Sequence, residues 1–349
     1  MMNRPIVGIT MGDPVGIGPE IILKALSETS LYDICRPLVL GDIQVLRGAN
    51  QRVKTDLSLR PVDGPEAAYY RFGEIDVVGL SNLDHARLRP GHPTKETGRA
   101  MVNYITQGAD WAMEGRTNAL ATCPINKMAM RKAGFAFEGH TELLAQQTKT
   151  SKYVMMLAGS RLRVALVTIH LPLAEVSKNL TTEAVLQTIR ITHEALRDSF
   201  GIPRPKLSVA ALNPHAGEGG LFGDEEARII CPALDKAALE GVHVSGPFPP
   251  DTIFYWALKG KWDAVISMYH DQGLIPFKIV HFQDGVNTTL GLPIVRTSVD
   301  HGTAYDIAGT GEADPGSLIA AIGMAAHQAV ERAKKRKNTD SSFAPSSTT

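Results

Sequence analysis

The stretch that decides the fold is Pro5–Leu26, PIVGITMGDPVGIGPEIILKAL. Its first part, Pro5–Met11, is a short apolar run that is typical of a buried β-strand. The following residues are rich in glycine and proline, which end a strand and favour a tight turn. Pro19–Leu26 then repeats apolar residues at helical spacing and begins with a proline, which suits a first helical turn. This order of strand, turn and helix predicts the first unit of an α/β fold with a parallel sheet.

The same alternation continues along the chain. Further strands are predicted at Pro37–Gly41, Asn118–Cys123, Arg163–Ile169, Lys206–Leu212 and Trp262–Met268. Helices are predicted at Thr94–Glu114, Thr182–Phe200, Asp224–Leu239 and Ser317–Arg332. The 349 residues suffice for two modest domains, and no obvious linker separates them. We therefore expect the chain to cross between domains more than once.

Composition excludes several classes of partner. Lysine plus arginine equals aspartate plus glutamate at 36 each, so no global field favours nucleic acid or an acidic membrane. No segment approaches the roughly 20 apolar residues of a membrane span. Cys35, Cys123 and Cys231 form no C-x-x-C pair, which fits a reducing compartment. We predict a cytoplasmic protein, with a disordered polar tail at Lys334–Thr349.

Three histidines share one sequence context, because each follows a predicted strand. They are His170, His215 and His270. Open α/β sheets bind ligands outside the carboxyl ends of their strands, so these imidazoles could converge on one cation. Nitrogen ligands favour Zn²⁺ or another transition ion over Mg²⁺. Hydrogen-bonded histidines at strand ends are the structural alternative, and His301 is a fourth histidine open to either interpretation.

Three glycine-containing loops are candidate ligand sites. Gly12–Glu20 joins a strand to a helix, where free amides can hold an anion, but it lacks the G-x-G-x-x-G dinucleotide pattern. Its alternative is a tight turn without a ligand. Asn213–Gly220 lets the backbone approach a ligand closely, and its alternative is an ordinary crossover loop. Gly139–Glu142 opens a helix, where Thr141 suits phosphate or carboxylate and His140 adds charge or a hydrogen bond, unless the segment is a simple cap.

Three further side chains could clamp an anionic substrate. Lys278, Asn287 and Arg296 follow His270 among glycines and short apolar runs. Lysine and arginine are natural ligands of phosphate and carboxylate. Each of them taken singly is more commonly a surface charge.

Six of these segments together carry a resemblance to a known family. They are MGDPVGIGPE, GHTE, TIHLPL, NPHAGE, MYHDQG and LGLPIVRTSVDHGTA, in this order along the chain. The sequence closely resembles the 4-hydroxythreonine-4-phosphate dehydrogenase (PdxA) family from about residue 5 to residue 330. The resemblance implies two α/β/α domains, isocitrate/isopropylmalate dehydrogenase-like, with the active site in the interdomain cleft. We expect residues 1–135 plus 300–333 to form the first domain and 136–299 the second, which carries the dimer interface.

The resemblance also implies a chemistry. The metal would lie on His170, His215 and His270, within a homodimer that shares metal ligands between subunits. Zn²⁺ is favoured, with Mg²⁺, Mn²⁺ or Co²⁺ as alternatives. The substrate contacts implied are His140, Thr141, Lys278, Asn287 and Arg296, with Asp251 as a further polar position. NAD or NADP would accept hydride from the 3-hydroxyl of a 4-phosphorylated four-carbon hydroxy acid, and the β-keto acid would then lose carbon dioxide.

Some segments look closer to the branch that acts on D-threonate or D-erythronate 4-phosphate than to the enzymes of vitamin B6 synthesis. LFGDEE, GHTELLA and GPFPPDT carry this resemblance. His281 stands where relatives often have glycine, and Thr288 replaces an aliphatic residue. We expect both to alter the substrate end of the pocket.

Three other functions stay open at this stage. Other members of the family oxidise an aromatic cis-dihydrodiol, which carries no phosphate. A non-redox lyase or hydrolase could use the same histidines. A binding or scaffold protein could keep the fold and lose the chemistry, although the intact histidine set opposes this.

Overall fold

The computed structural model describes residues 4–342, with side chains for 4–337. Its twelve strands form one sheet. In chain order they are β1 (Ile6–Thr10), β2 (Arg36–Gly41), β3 (Ser58–Pro61), β4 (Glu74–Gly79), β5 (Ala119–Thr122), β6 (Val154–Ala158), β7 (Arg163–Leu166), β8 (Leu207–Ala210), β9 (Val244–Phe248), β10 (Ala264–Ser267), β11 (Val286–Leu290) and β12 (Arg296–Val299).

Helices cover both faces of this sheet. They are α1 (Gly18–Leu26), α2 (Thr29–Ile34), α3 (Ile43–Val53), α4 (Lys95–Met113), α5 (Lys127–Lys132), α6 (His140–Gln147), α7 (Leu173–Asn179), α8 (Thr182–Asp198), α9 (Cys231–Leu239), α10 (Pro250–Leu258), α11 (His270–Val280) and α12 (Gly316–Ser342). Short 3₁₀ segments lie at Pro65–Ala67 and Pro214–Gly220, and a π-helical turn at Glu226–Ile230 precedes α9. No helix in the described part of the chain is long and apolar enough to cross a membrane.

The sheet consists of two parallel halves that run in opposite directions. One half has the order β3-β4-β2-β1-β5-β12, and the other has the order β7-β10-β8-β9. Between the halves lie β11 and β6, and the pairs β12–β11, β11–β6 and β6–β7 are all antiparallel. The α/β class is confirmed, but the predicted parallel sheet is wrong at its centre. The connections at 159–162 and 291–295 are too short for a crossover, so they can join only antiparallel neighbours.

Each half of the sheet has its own hydrophobic core. The first contains Ile21 and Leu46, and the second contains Ile189 and Ile266. Helix α12 buries Ile322 in the first core, and its Met324 packs against the second. This helix therefore connects the two halves. The division into domains 1–135 plus 300–333 and 136–299 stays a prediction.

The predicted elements correspond to observed ones, with ends that differ by a few residues. The largest difference is at the last helix, which was expected to end at Arg332 and continues to Ser342. The start of the predicted polar tail is therefore helical. There Lys334 and Lys335 form ion pairs with Glu331 and Asp198. Residues 343–349 of that tail lie outside the described residues.

Candidate active site

A cavity of about 250 Å³ lies over the centre of the sheet, where the strand direction changes. Arg296 and Ser298 alternate along β12 and so share one face, and Asn287 of β11 is paired with Ser298 on that face. These three side chains form the floor of the cavity. The remaining polar lining comes from Lys127, Glu138, His140, Thr141, Glu142, His170 and His301.

Arg296 is the buried cation of the cavity floor. The residue is 2% exposed, and its terminal nitrogens donate to Thr289 Oγ1 at 3.0 Å and Thr122 Oγ1 at 2.9 Å. Its Nε has no partner among the described residues. Burial lowers the pKa of the guanidinium to about 9, so the group keeps its charge at neutral pH. A buried cation with a free donor is suited to bind an anionic ligand.

His140 begins α6 and presents an acceptor rather than a charge. Burial, and then the charge of Arg296, hold the pKa of the imidazole well below its ordinary value of 6.5. The ring is hydrogen-bonded to the backbone of Cys123, while Nε2 has no partner in the described chain. The bond to Cys123 therefore involves Nδ1, which leaves Nε2 as a lone-pair acceptor. Of the two roles expected for His140, charge or a hydrogen bond, the lowered pKa favours the hydrogen bond.

Asn287 and Thr141 complete the polar lining that the sequence predicted. Asn287 Oδ1 is buried without a hydrogen-bond partner among the described residues. Thr141 lies in the first turn of α6 and lines the cavity beside His140. Buried polar atoms are normally paired, so three unpaired atoms on the side chains of one cavity indicate a place for a polar ligand.

The three strand-end histidines are placed differently. The rings of His170 and His270 lie 6.0 Å apart, and burial together with Lys127 and His270 lowers the pKa of His170. His215 lies in a left-handed loop, with φ 51°, and its ring is 6.1 Å from Phe222. Within the described residues, the three histidines do not form a group whose ligand atoms all lie within 4.8 Å of one another.

A different set of ligand-type side chains does meet this distance. Glu138, Glu142 and His170 place one ligand atom each within 4.8 Å of the others. Neither glutamate is among the site residues predicted from the sequence. The available signal was their position at the Gly139–Glu142 segment, because Glu138 precedes this segment and Glu142 ends it, and both line the cavity.

Two predicted substrate residues do not line this cavity. Lys278 Nζ lies 2.7 Å from Asp300 Oδ2 and also donates to the Asp300 carbonyl oxygen at 2.6 Å. Its charge is therefore already paired. Asp251 is an exposed residue in the first turn of α10. His301, the fourth strand-end histidine, does line the cavity, and its Nδ1 is 3.1 Å from the Gly302 carbonyl oxygen.

The two unusual residues beside the predicted site face elsewhere. His281 is 2% exposed, and its Nδ1 lies 3.0 Å from the Asp284 carboxylate. Its Nε2 accepts a hydrogen bond from the Arg161 amide. The ring packs so closely against Gly159 that a Cβ there would lie 2.5 Å from it. Thr288 donates to the Arg296 carbonyl oxygen and accepts from Gln328 of α12. The expectation that both alter the substrate end of the pocket is therefore wrong. Asn287, the neighbour of Thr288 in β11, lines the cavity instead, because side chains alternate along a strand.

The Gly12–Glu20 loop is a closed turn. Asp13 accepts from the Val15 amide and from the Tyr305 hydroxyl, and Glu20 accepts from the amides of Gly309 and Gly311. A Cβ at Gly12, with φ +68°, would lie 2.3 Å from the Pro124 carbonyl oxygen. The carboxylates of this loop are bound by its own backbone and by residues 305–311, so the alternative of a tight turn is supported over an anion site.

Comparisons with known proteins give the chain's relatives. Residues 33–325 match the model of the family described as "Pyridoxal phosphate biosynthetic protein PdxA". The chain is 59% identical over 336 residues to a 4-hydroxythreonine-4-phosphate dehydrogenase of Desulforapulum autotrophicum, covering 96% of this chain and 99% of that protein. It is 45% identical over 329 residues to a protein of Symbiobacterium thermophilum that is provisionally named a D-threonate 4-phosphate dehydrogenase, covering 94% and 98%.

A solved structure supports the fold in the same way. The 4-hydroxythreonine-4-phosphate dehydrogenase of Klebsiella pneumoniae superimposes with a TM-score of 0.87 at 43% identity, covering 93% of this chain and 98% of that one. Fold, cavity and relatives together define an α/β enzyme of the dehydrogenase class, acting on a hydroxyl group. The chain belongs to the PdxA family.

Proposed function

We propose that the chain is an NAD- or NADP-dependent and metal-dependent dehydrogenase of a 4-phosphorylated four-carbon hydroxy acid. The substrate is 4-hydroxy-L-threonine 4-phosphate, or D-threonate or D-erythronate 4-phosphate. Oxidation at the 3-hydroxyl gives a β-keto acid, which then loses carbon dioxide. The observation that carries the proposal is the cavity with unpartnered atoms on His140, Asn287 and Arg296.

These three residues bind complementary parts of such a substrate. The neutral His140 offers Nε2 as an acceptor for a substrate hydroxyl. Asn287 Oδ1 accepts from a second donor, and Arg296 Nε donates to a negatively charged group. The site therefore distinguishes a polyhydroxy acid from an apolar ligand by the buried atoms that an apolar ligand would leave unpaired.

The donors present also fit a divalent metal. His170 has a lowered pKa and is therefore neutral, which leaves a nitrogen lone pair for a cation, and His270 lies beside it. His215 would complete the set across a homodimer, as the resemblance implies, because the three do not gather within one chain among the described residues. A bound divalent ion stabilises the alkoxide form of the substrate hydroxyl and so makes it easier to oxidise. Imidazole ligands favour Zn²⁺, with Mg²⁺, Mn²⁺ and Co²⁺ as alternatives.

The remaining parts of the proposal concern the surroundings of the site. NAD or NADP supplies the hydride acceptor when it is bound. Lys278 and Asp251 are further substrate contacts in this proposal. For Lys278 this requires the substrate to compete with Asp300 for the ammonium group of the lysine. We place the protein in the cytoplasm as a homodimer, without nucleic acid or a membrane as partner.

The direct test is cofactor reduction with the purified protein. We expect reduced nicotinamide to form with a 4-phosphorylated hydroxy acid, to stop on addition of a chelator, and to return with Zn²⁺ or Mn²⁺. His215→Ala should remove turnover, and His243→Ala, an exposed histidine outside the site, should not. Substrate loss without cofactor reduction would indicate a lyase or hydrolase instead. Turnover of a cis-dihydrodiol in preference to the phosphorylated acids would favour that alternative.

A further inference from the structure

The loop that carries His215 has a strained backbone. His215, Ala216 and Glu218 have φ values of 51°, 54° and 45°, and the two glycines of the same run, Gly217 and Gly219, have 79° and 65°. Five consecutive residues therefore lie in the left-handed region, which residues other than glycine adopt only with strain. Such a conformation persists only where the surrounding structure holds it. The His215 side chain is exposed, so its own packing supplies little of that support.

Glu226 supplies the support from the far end of the loop. The residue is 6% exposed, and its Oε1 accepts from the backbone amides of Leu212 at 2.9 Å and Asn213 at 2.8 Å. Its Oε2 accepts from the Asn213 side-chain amide at 3.0 Å. A buried carboxylate is costly unless it is hydrogen-bonded, and here the loop provides the donors. One side chain therefore fixes the direction in which the chain leaves β8 and enters the left-handed run.

The same carboxylate also lies against the middle of the loop. A Cβ at Gly217 would be 2.7 Å from Glu226 Oε2, so the loop backbone passes directly over the carboxylate. Glu226 begins the π-helical turn Glu226–Ile230, and such turns are rare and are found frequently at functional sites. The hydrogen bonds and this contact together leave the loop little freedom to move relative to Glu226.

We infer that Glu226 is a positioning residue that holds His215 at the proposed metal site. This inference rests on the proposed function, in which His215 is one of three metal ligands. A ligand on a strained loop binds well only if the loop is already ordered, since ordering it on binding would cost part of the binding free energy. Both oxygens of Glu226 already accept hydrogen bonds from the loop, so the residue acts through the backbone and not as a ligand.

The first test measures binding of Co²⁺ to the metal-free protein by calorimetry. Glu226→Gln keeps the size of the side chain, but in either orientation its NH₂ group faces a donor of the loop. We expect the Kd for Co²⁺ to rise about 10- to 100-fold, as for other residues that orient metal ligands. Asp42→Asn is the control, because Asp42 is also a buried carboxylate, 1% exposed, and accepts from the amides of Gln44 and Val45 outside the site. It should lower stability and leave the Kd unchanged.

A pair of glycine variants tests the same contact from the side of the loop. Gly217 and Gly219 are both left-handed, so alanine strains the backbone at either position. At Gly217 the new Cβ would meet Glu226, whereas at Gly219 it would contact no residue of the described chain within 4 Å beyond its two neighbours. We expect Gly217→Ala to weaken Co²⁺ binding more than Gly219→Ala. Equal losses would attribute the effect to backbone strain and overturn the inference. This pair decides the question if Glu226→Gln fails to fold.

A double variant tests whether Glu226 acts through His215. In a His215→Ala background, Glu226→Gln should cause no further loss of Co²⁺ affinity, because the positioned ligand is gone. A further loss of the same size would overturn the inference, as would an unchanged Kd in Glu226→Gln or an equal rise in Asp42→Asn. If the wild type binds no Co²⁺, or His215→Ala binds it like the wild type, the proposed metal site fails first, and the inference fails with it.

Discussion

The Gly12–Glu20 loop and the Gly139–Glu142 segment look alike in sequence but differ in the structure. Both contain glycine, polar side chains and the start of a helix. In the first, the carboxylates of Asp13 and Glu20 accept hydrogen bonds from backbone amides and from Tyr305. In the second, His140 keeps a buried Nε2 without a partner among the described residues, and Glu142 has no ion pair there. Satisfied polar groups stabilise a turn, and unsatisfied ones mark a place where a ligand binds.

The largest expected effect comes from a methyl group added to the closed loop. In Gly12→Ala the new Cβ would lie 2.3 Å from the Pro124 carbonyl oxygen, at a residue with φ +68°. Overpacking and backbone strain together should lower the free energy of unfolding by about 3 kcal/mol or more. The matched variant is Gly139→Ala, where φ is 172° and the nearest contact would be 3.4 Å. Urea unfolding of Gly139→Ala should show only a small change in the free energy of unfolding. Equal losses of stability in both variants would contradict the difference in packing between the two segments.

The next largest effect concerns the Gly139–Glu142 segment, where activity and stability should respond differently to one substitution. His140→Leu removes the unpartnered Nε2 acceptor together with the bond to Cys123. We expect kcat/KM to fall about 100-fold, as for loss of one aligned hydrogen bond in a desolvated site. The free energy of unfolding should change by about 1 kcal/mol or less, because the variant also removes an unsatisfied buried group. Loss of stability without loss of kcat/KM would assign His140 to the structure alone.

A pH series tests the neutral state of the cavity histidines. The pKa values of His140 and His170 are below 6.5 in the folded protein, mainly through burial, so the unfolded chain binds protons more readily. Stability should therefore be present above about pH 6.5 and should decrease as the pH falls below it, by at most about 1.4 kcal/mol per unit for each histidine. In metal-free protein, the free energy of unfolding of His140→Gln should fall less steeply with decreasing pH than that of the wild type. Parallel curves would mean that His140 titrates normally.

The smallest kinetic effect should come from a residue that faces away from the cavity. Thr288 contacts Gln328 and the Arg296 carbonyl oxygen. Thr288→Val should cost about 1 kcal/mol of stability, because Gln328 loses a hydrogen bond. Its kcat/KM for either phosphorylated acid should stay within about twofold of the wild type, since less than about 0.5 kcal/mol of transition-state binding is involved. A larger change in substrate preference would place Thr288 in the pocket after all.

Local patterns predicted most of the fold and the main part of the cavity. The strand ahead of His170 and the helix begun by His140 could be identified from apolar spacing and capping residues. The resemblance then indicated Asn287 and Arg296, which the structure brings together on one sheet face. Neither step could show that Lys278 is paired with Asp300.

The missed features depend on pairing across the sheet. Strands β6, β11 and β12 have no clear alternation of their own, so their antiparallel pairing was not visible along the chain. That pairing decides which side chains face the cavity and turns Thr288 towards α12. Glu138 and Glu142 could not be predicted as site residues for a similar reason. Carboxylates near the start of a helix are common, and only the folded structure shows that His170 lies beside these two.

The most direct measurement is a crystal structure of the enzyme with Zn²⁺ and 4-hydroxy-L-threonine 4-phosphate bound without the nicotinamide cofactor. We predict substrate atoms within hydrogen-bond distance of His140 Nε2, Asn287 Oδ1 and Arg296 Nε, and no ligand on the amides of the Gly12–Glu20 loop. A substrate bound at that loop, or a cavity in which the three atoms stay unpaired beside a bound substrate elsewhere, would contradict the assignment of the active site.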